Sequence, residues 1–334
     1  TADRVLLKMA EFEARTFEEL FQQTKALMWE ALIPPDGKFT VTGTSVKSQL
    51  HSVPACQGIC KKAIASRLGE VYMMETLPET GAEYTVKVTI LKDRVTLTVD
   101  TSGFGLHKRG YRVKTVAAPI KETLAAAMVQ LSFWNKDRVL LDPCCGSGTI
   151  AIEAAMIGRN IAPGLSRSFA CEEWEAIDKK LWKEEKKRAY DLMDNTSKLD
   201  IVAIDIDKMA IDAAKENAVE AGVDDCIRFI NADMSRIKAS QPSGIIITNP
   251  PYGERIGERK QIAAIYSKYK KFFAENPSWS MFMVTTDKDI EGKVFGRKAD
   301  RRRKLYNGRL EVCYYQFHGK KLGDNGKAKQ PEQN

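Results

Sequence analysis

The chain has 334 residues, with 52 Lys and Arg against 44 Asp and Glu and a formal net charge of +8. At about 100–200 residues per domain, this length points to two domains, each able to bury its own core. With 43% hydrophobic and 29% charged residues the composition is globular rather than disordered. No apolar run approaches the roughly 18 residues of a membrane span, which excludes an integral membrane protein and leaves no membrane partner to expect. The positive excess suits a nucleic-acid partner and plain solubility equally well.

The seven cysteines lack disulfide-scaffold spacing: Cys56 and Cys60, the adjacent Cys144-Cys145, and the isolated Cys171, Cys226 and Cys313. There is no Cys-x-x-Cys, and the histidines are His51, His107 and His318, so reduced buried thiols are expected and no metal site. No charged-then-apolar leader is present, and a cytoplasmic protein follows. The chain opens on Thr1-Ala2-Asp3-Arg4 without an initiator Met, so upstream sequence is expected to be missing.

In chain order, Val5 to Glu11 reads as a strand. Thr16 and Glu19 form a capping box before a helix carrying Phe17, Leu20, Phe21, Leu27 and Met28. Phe39 to Val46 is extended. Ser52, with Pro54 in the first turn, starts a helix that runs to Leu68 and stops at Gly69. Tyr84–Leu91 and Val95–Val99 alternate around Lys92-Asp93-Arg94 as a hairpin. These elements make residues 1–105 a compact α+β unit. The basic, aromatic bridge Leu106-His-Lys-Arg-Gly-Tyr-Arg112 opens the second domain, taken as 106–320, with a polar tail at 321–334. There, Pro119 starts a helix through Leu124, Met128 and Leu131. Strands at Arg138–Leu141, Asp200–Ile204, Ile227–Ile230, Ile245–Thr248 and Met281–Thr285 alternate with helices at Thr149–Gly158, Met209–Ala221 and Gln261–Ala274. Such alternation means an α/β, doubly wound parallel sheet. Asn307-Gly308 predicts a closing antiparallel hairpin. An insert, Arg159–Leu199, holds a charged helical stretch around Trp174–Leu192 that reads as a solvated face or a substrate contact.

Four motifs carry chemistry. Val139-Leu-Leu-Asp142-Pro-Cys-Cys-Gly146-Ser-Gly148-Thr-Ile150 is a buried strand, a two-glycine loop and a helix start. It lacks the third glycine of a dinucleotide fingerprint, and its acid would repel pyrophosphate but hold the cationic amino-acid end of S-adenosylmethionine. The next strand ends in Asp205-Ile-Asp207. Asp205 suits a pair of ribose hydroxyls, whereas Asp207 can instead cap the following helix. Asp233, after a further strand, can accept from an adenine amino group or cap a turn. Finally, Ile245-Ile-Ile-Thr-Asn249-Pro250-Pro251-Tyr252 ends a buried strand with two prolines that fix the chain's direction. The Asn249 side-chain oxygen and the Pro250 carbonyl can accept from an exocyclic amine on a planar base, and Tyr252 offers a face for stacking.

In this order the motifs resemble the amino-methylating, Rossmann-like class of S-adenosylmethionine-dependent methyltransferases. Leu106-His-Lys-Arg-Gly-Tyr-Arg112, Ala118-Pro-Ile-Lys-Glu-Thr-Leu124, Asn249-Pro-Pro-Tyr-Gly-Glu-Arg255 and Leu305-Tyr-Asn-Gly-Arg-Leu310 more narrowly resemble the RlmL-like family. These are THUMP-domain RNA guanine-N2 methyltransferases of large-subunit rRNA, with tRNA-modifying relatives. The resemblance implies a Rossmann-like methyltransferase domain preceded by a THUMP region with the remnant of a ferredoxin-like segment. It implies S-adenosyl-L-methionine as cofactor, held by Asp142, Cys144, Gly146, Gly148, Asp205, Ile206, Asp233 and Asn249, and catalysis at Asn249, Pro250 and Tyr252. RNA, rRNA before tRNA, is the implied partner, with Lys108, Arg109, Arg112, Arg301, Arg302 and Arg303 as its contacts. Adenine-N6 and glutamine-amide methyltransferases share Asn-Pro-Pro-Tyr and stay open as alternatives, as does a non-catalytic RNA-binding factor. The sequence leaves the oligomeric state undetermined.

Overall fold

The computed structural model describes residues 1–116, 119–251 and 258–322, and for residues 258–261 the backbone alone. The chain divides into two compact units, residues 2–106 with 167–188, and residues 107–166 with 189 onward. Among the described residues no helix is long and apolar enough to cross a membrane.

The first unit is a sheet in the order β1-β4-β3-β2, in which β2 and β3 are parallel and the other pairs antiparallel. Its elements are β1 (Leu6–Glu13), α1 (Phe17–Lys25), β2 (Lys38–Val46), α2 (Val53–Tyr72), β3 (Glu83–Leu91) and β4 (Arg94–Asp100). The capping box forms as expected: Glu19 N–H donates to Thr16 Oγ1 at 3.2 Å, and Glu19 Oε2 accepts from the N–H of Thr16 at 3.2 Å. Helix α2 overruns the stop expected at Gly69. It ends instead at Met73 in the left-handed region (φ 53°), and Met74 N–H bonds Gly69 O. The extra turn places Tyr72, whose hydroxyl donates to Ile33 O at 2.8 Å, so a tertiary bond outweighs the helix-breaking preference. Alternation then sets the core: Tyr84, Val86, Val88 and Ile90 pack with Val95, Leu97 and Val99 against Leu20, Trp29, Ile64 and Leu68. Lys92 and Asp93, both at positive φ, make the turn that matches the twist of β3 and β4.

The second unit runs α3 (Glu122–Gln130), β5 (Leu140–Asp142), α4 (Thr149–Gly158), then, past the insert with its helix α5 (Lys179–Asp191), β6 (Ile201–Asp205), α6 (Lys208–Glu220), β7 (Ile227–Asn231), β8 (Ile245–Thr248), α7 (Glu258–Glu275), β9 (Ser280–Thr285), β10 (Arg301–Asn307) and β11 (Leu310–Phe317). The strand order is β10-β11-β9-β8-β5-β6-β7. The five strands β5 to β9 are parallel, and the β10–β11 hairpin adds antiparallel to β9. Helix α3 starts at Glu122, not at Pro119. Asn307 Nδ2 donates to Pro119 O, Lys121 N–H donates to Asn307 Oδ1 and Arg112 donates to Ile120 O, so residues 119–121 are held outside the helix. Two cores sandwich the sheet. One holds Leu140, Ile201, Ile245 and Ile247 under α3, α4 and α6; the other holds Leu141, Val202, Ile246 and Met281 under α7. Residues 232–244 cross from β7 to β8 with only a short 3₁₀ turn, leaving a cavity of about 210 Å³ bounded by Leu141, Val202, Ile204, Ile230 and Trp279.

The insert is not uniformly a solvated face. Helix α5 has no buried residue, but Trp174 before it is 1% exposed within the core of the first unit. Its ring stacks on Tyr84 with centroids 5.0 Å apart, and its Nε1–H donates to Glu83 O at 3.1 Å. Arg167 donates to the carbonyls of Ser102, Phe104 and Gly105, holding the insert's start to the end of this unit. Trp174→Ala should therefore cost about 3–5 kcal/mol in urea unfolding, whereas Leu181→Ala, on the exposed side of α5, should change it by less than about 0.5 kcal/mol.

Candidate active site at the carboxyl edge of the parallel sheet

From β5 the chain moves outward through β6 and β7, then returns to place β8 on the other side of β5. Connections leave β5 and β8 in opposite directions, and such a switch point opens a crevice at the strands' carboxyl ends. Asp142 is the last residue of β5 and is fully buried. Its Oδ1 accepts one long bond, 3.4 Å, from Cys144 N–H, and its Oδ2 has no hydrogen-bond partner among the described residues. Burial pushes its carboxyl up to about 8. A buried acid with an unfilled acceptor is suited to receive a cationic ligand group.

The loop after Asp142 closes on the neighbouring strand. Gly146 (φ 53°) donates its N–H to Asp205 Oδ2 at 2.9 Å. Gly148 (φ 82°) starts α4 where a Cβ would stand 2.9 Å from that of Ala214, so neither its conformation nor its space admits a side chain. Asp207 caps α6 through Met209 N–H at 2.9 Å, which leaves Asp205 as the acid facing the loop. Ile206, between them, is exposed. Asn231 Nδ2 donates to the carbonyls of Asp205 and Ile206 at 3.1 and 2.9 Å, tying in β7. Asp233 caps its turn through Ser235 N–H, and its Oδ2 accepts from Lys268 Nζ at 2.6 Å. The bond from Lys268 is the main reason its carboxyl falls to about 2, so it is an ionised acceptor at any ordinary pH. Cys144 Sγ lies 3.7 Å from the Tyr269 hydroxyl, and burial pushes the thiol up to about 12, so it stays neutral. Thr248, at the end of β8, is fully buried 3.1 Å from the same hydroxyl; Asn249 follows half-buried and Pro250 buried. Tyr252 lies outside the described residues. The ends of β5, β6, β7 and β8 thus form one bonded rim carrying Asp142, Gly146, Asp205, Asp233 and Asn249.

The expected RNA contacts divide differently. Arg109 is 5% exposed and bonds Glu153 of α4 at 3.3 and 3.4 Å, and Tyr111 donates to the same carboxylate at 3.0 Å. Arg112 donates to Glu122 Oε1 at 2.7 Å, to Thr149 Oγ1 at 2.9 Å and to Ser147 Oγ at 3.3 Å. Both guanidiniums serve internal acids and the two-glycine loop, because a buried charge survives only with partners. Arg109 is not presented on the surface, and Arg112 is half-buried with its guanidinium engaged. Lys108 is exposed. Arg302 is exposed but paired through two bonds with Glu291. Arg301 and Arg303, on the opposite face of β10, are exposed without an ion pair among the described residues.

Residues 109–316 match a family model described as an RMKL-like methyltransferase domain, and residues 14–100 match a THUMP domain. The chain belongs to the RMKL-like methyltransferase family. It is 48% identical over 324 residues to "Putative RNA methyltransferase YpsC" of Bacillus subtilis, covering 96% of this chain and 83% of that one. It is 34% identical over 329 residues to "Ribosomal RNA large subunit methyltransferase K/L" of Shewanella baltica, covering 95% of this chain but only 46% of that protein. The chain thus spans less than half the length of its K/L relatives. The crystal structure of SMU.472 complexed with SAH superposes with a TM-score of 0.89 at 44% identity, covering 96% of this chain and 85% of that one.

In this RMKL-like domain, sequence reasoning missed the residues that hold the rim in place. Asn217 of α6 is 1% exposed. Its Oδ1 accepts from the N–H of Val113 and Lys114, and its Nδ2 donates to Lys114 O and Ser147 O, all at 3.0–3.1 Å. The available signal was an amide on an otherwise Ala and Ile stripe, Ala210, Ile211, Ala213, Ala214, Ala218. Tyr269 and Lys268 of α7 were likewise overlooked as ordinary helix residues.

Because Asp142 holds its proton far above the range of an unfolded carboxyl, burying it costs nothing below about pH 4 and progressively more as pH rises toward 8. Asp142→Asn should therefore be more stable than wild type by about 2–4 kcal/mol at pH 8, with the difference vanishing near pH 4. Urea unfolding of the ligand-free proteins across that range checks both sign and window.

Proposed function

We propose that the protein is an S-adenosylmethionine-dependent RNA methyltransferase that forms N2-methylguanosine, with 23S rRNA as substrate, in the cytoplasm. The observation that carries this reading is the continuous rim in which the acids at the ends of β5, β6 and β7 meet Asn249-Pro250, just past β8. The names of the relatives support the RNA substrate, as does the THUMP domain at residues 14–100, which neither a DNA adenine-N6 nor a glutamine-amide methyltransferase requires.

S-adenosylmethionine, when bound, supplies a methyl group activated on sulfur and a good leaving group. The chain's part is holding and polarising. Asp142 accepts from the cofactor's ammonium, Gly146 and Gly148 bring the backbone close, and Asp205 accepts from the ribose hydroxyls. Cys144 lines the same loop as a neutral thiol. Ile206 gives the adenine an apolar face and Asp233 accepts from its amino group. On the acceptor side, the guanine amine is a weak nucleophile because its lone pair is delocalised into the ring. The Asn249 side-chain oxygen and the Pro250 carbonyl accept its two N–H bonds, favour a pyramidal nitrogen and take up the positive charge that develops on attack. Tyr252 supplies the stacking face for a base out of its helix. No strong general base is needed, since the attacked amine becomes acidic once methylated.

Incubating the protein with labelled cofactor and with rRNA, tRNA, DNA or protein, followed by nucleoside analysis, decides the acceptor. Label in N2-methylguanosine of rRNA is expected; N6-methyladenosine, or label in protein alone, overturns the reading, and label in tRNA moves the substrate. Asn249→Ala should lower turnover by about 100-fold or more and leave cofactor affinity, read by calorimetry, nearly intact. Among the basic residues, Arg301 and Arg303 remain for the phosphate backbone. Charge reversal of Arg301 and Arg303 together should weaken RNA binding and lessen the slope of log affinity against log salt by about one per lost contact. An unchanged slope would make them solvated surface.

A further inference from the structure

The hydroxyl of Tyr269 is the one polar atom of that fully buried side chain, and it sits on α7 in an apolar stripe with Ile262, Tyr266 and Phe272. A phenylalanine would fill the same space without the cost of burying an O–H, which is about 1–3 kcal/mol when its bonds are lost. The hydroxyl stands 3.1 Å from Thr248 Oγ1 and 3.7 Å from Cys144 Sγ. It can donate one of these bonds and accept the other, so a single oxygen links the loop after β5 to the end of β8. Thr248 is the residue immediately before Asn249, and Cys144 lies two residues past Asp142. The preceding residue of α7, Lys268, holds Asp233 at 2.6 Å, so consecutive residues of one helix grip three of the four strand ends in the rim.

We propose that Tyr269 is a positioning residue that sets the separation between the cofactor loop after β5 and the methyl-acceptor loop after β8. This rests on the reading given under Proposed function, in which Asp142 and Asn249 serve the two reactants. Displacement of reacting groups by about 1 Å can cost 100-fold in rate. A bond between the two loops restricts that displacement, while leaving each loop's own ligand contacts in place. The hydroxyl acts on kcat rather than on the binding of either reactant.

The test compares Tyr269→Phe, Thr248→Val and the double variant with wild type. Two readouts are taken: amide hydrogen exchange, and kcat and KM for the RNA that wild type methylates. In Tyr269→Phe, exchange should rise about tenfold both in residues 144–149 and in residues 247–249, with α7 still protected. Its kcat should fall about tenfold or more, with KM for RNA and the dissociation constant for S-adenosylhomocysteine within about twofold of wild type. The double variant should be no slower than the slower single, since both remove the same link. A kcat within twofold of wild type, or exchange unchanged in both loops, overturns the proposal even if the variant melts at a lower temperature. Should wild type methylate no RNA, the functional reading fails, and the exchange result alone still decides whether Tyr269 links the loops.

Discussion

Two adjacent parallel strands whose connections run in opposite directions must leave a gap at their carboxyl ends, and β5 and β8 are that pair. The shape of the candidate site in the second unit follows from this. The gap cannot be filled by a crossover, so its walls are loops, and loops keep their shape only if their backbone groups are bonded. Here the bonds run sideways from one strand end to the next: Cys145 N–H to Ile204 O, Gly146 N–H to Asp205, Ala232 N–H to Asp205 O. In the proposed reading Asp205 therefore has two tasks, since the carboxylate offered to the ribose is also the clasp of the two-glycine loop. Its remaining lone pairs leave room for both.

The same constraint explains why so much charge is buried in the second unit. Segment 107–116 bonds α4 through Arg109 and Glu153, α3 through Arg112 and Glu122, and α6 through Asn217. Buried pairs of this kind add little net stability over apolar packing, and removing one partner is far costlier than never having the pair. Their gain is placement. Arg112 and Asn217 both end on the loop at Ser147, one through its hydroxyl and the other through its carbonyl. The loop is thus fixed from outside the rim by residues that would touch neither reactant.

Local signals carried the fold. The period-two strands of the first unit, the Thr16 capping box, the alternation of helices and strands and the closing hairpin were all legible, because each is decided within a few residues. Strand β8 and helix α4 fall where the sequence placed them. What was not legible required distant partners. Gly69 reads as a helix stop until Tyr72 finds Ile33 O across the unit. Pro119 reads as a helix start until Asn307, far along the chain, takes its carbonyl. Trp174 sits in a charged stretch that looks solvated throughout, and nothing within that stretch tells of Tyr84. In the site, the acids and the Asn249 motif stood out because their residue types are unusual after a buried strand. Tyr269 and Asn217 did not, because a single polar atom in an apolar helix face has no distinctive spacing.

Charge was the least local property and the most misleading. Six basic residues were expected to face RNA, yet the structure spends Arg109 and Arg112 on Glu153 and Glu122, inside the unit. Arg302 is held by Glu291, which blunts its charge without burying it. Arg301 and Arg303 lie two apart on an edge strand, where the period of the strand turns both to one face. That geometry matters more than the +8 of the whole chain. Two cations fixed side by side on a rigid hairpin can meet successive phosphates of one strand, whereas a diffuse excess only raises encounter rates and is screened beyond about 8 Å at physiological salt. The rim, by contrast, presents the acceptors of Asp142, Asp205 and Asp233, with Lys268 already paired to Asp233, and offers a phosphate backbone little to bind. In the proposed reading it receives RNA only as an extruded base, whose flat, uncharged edge Asn249 and Pro250 would accept.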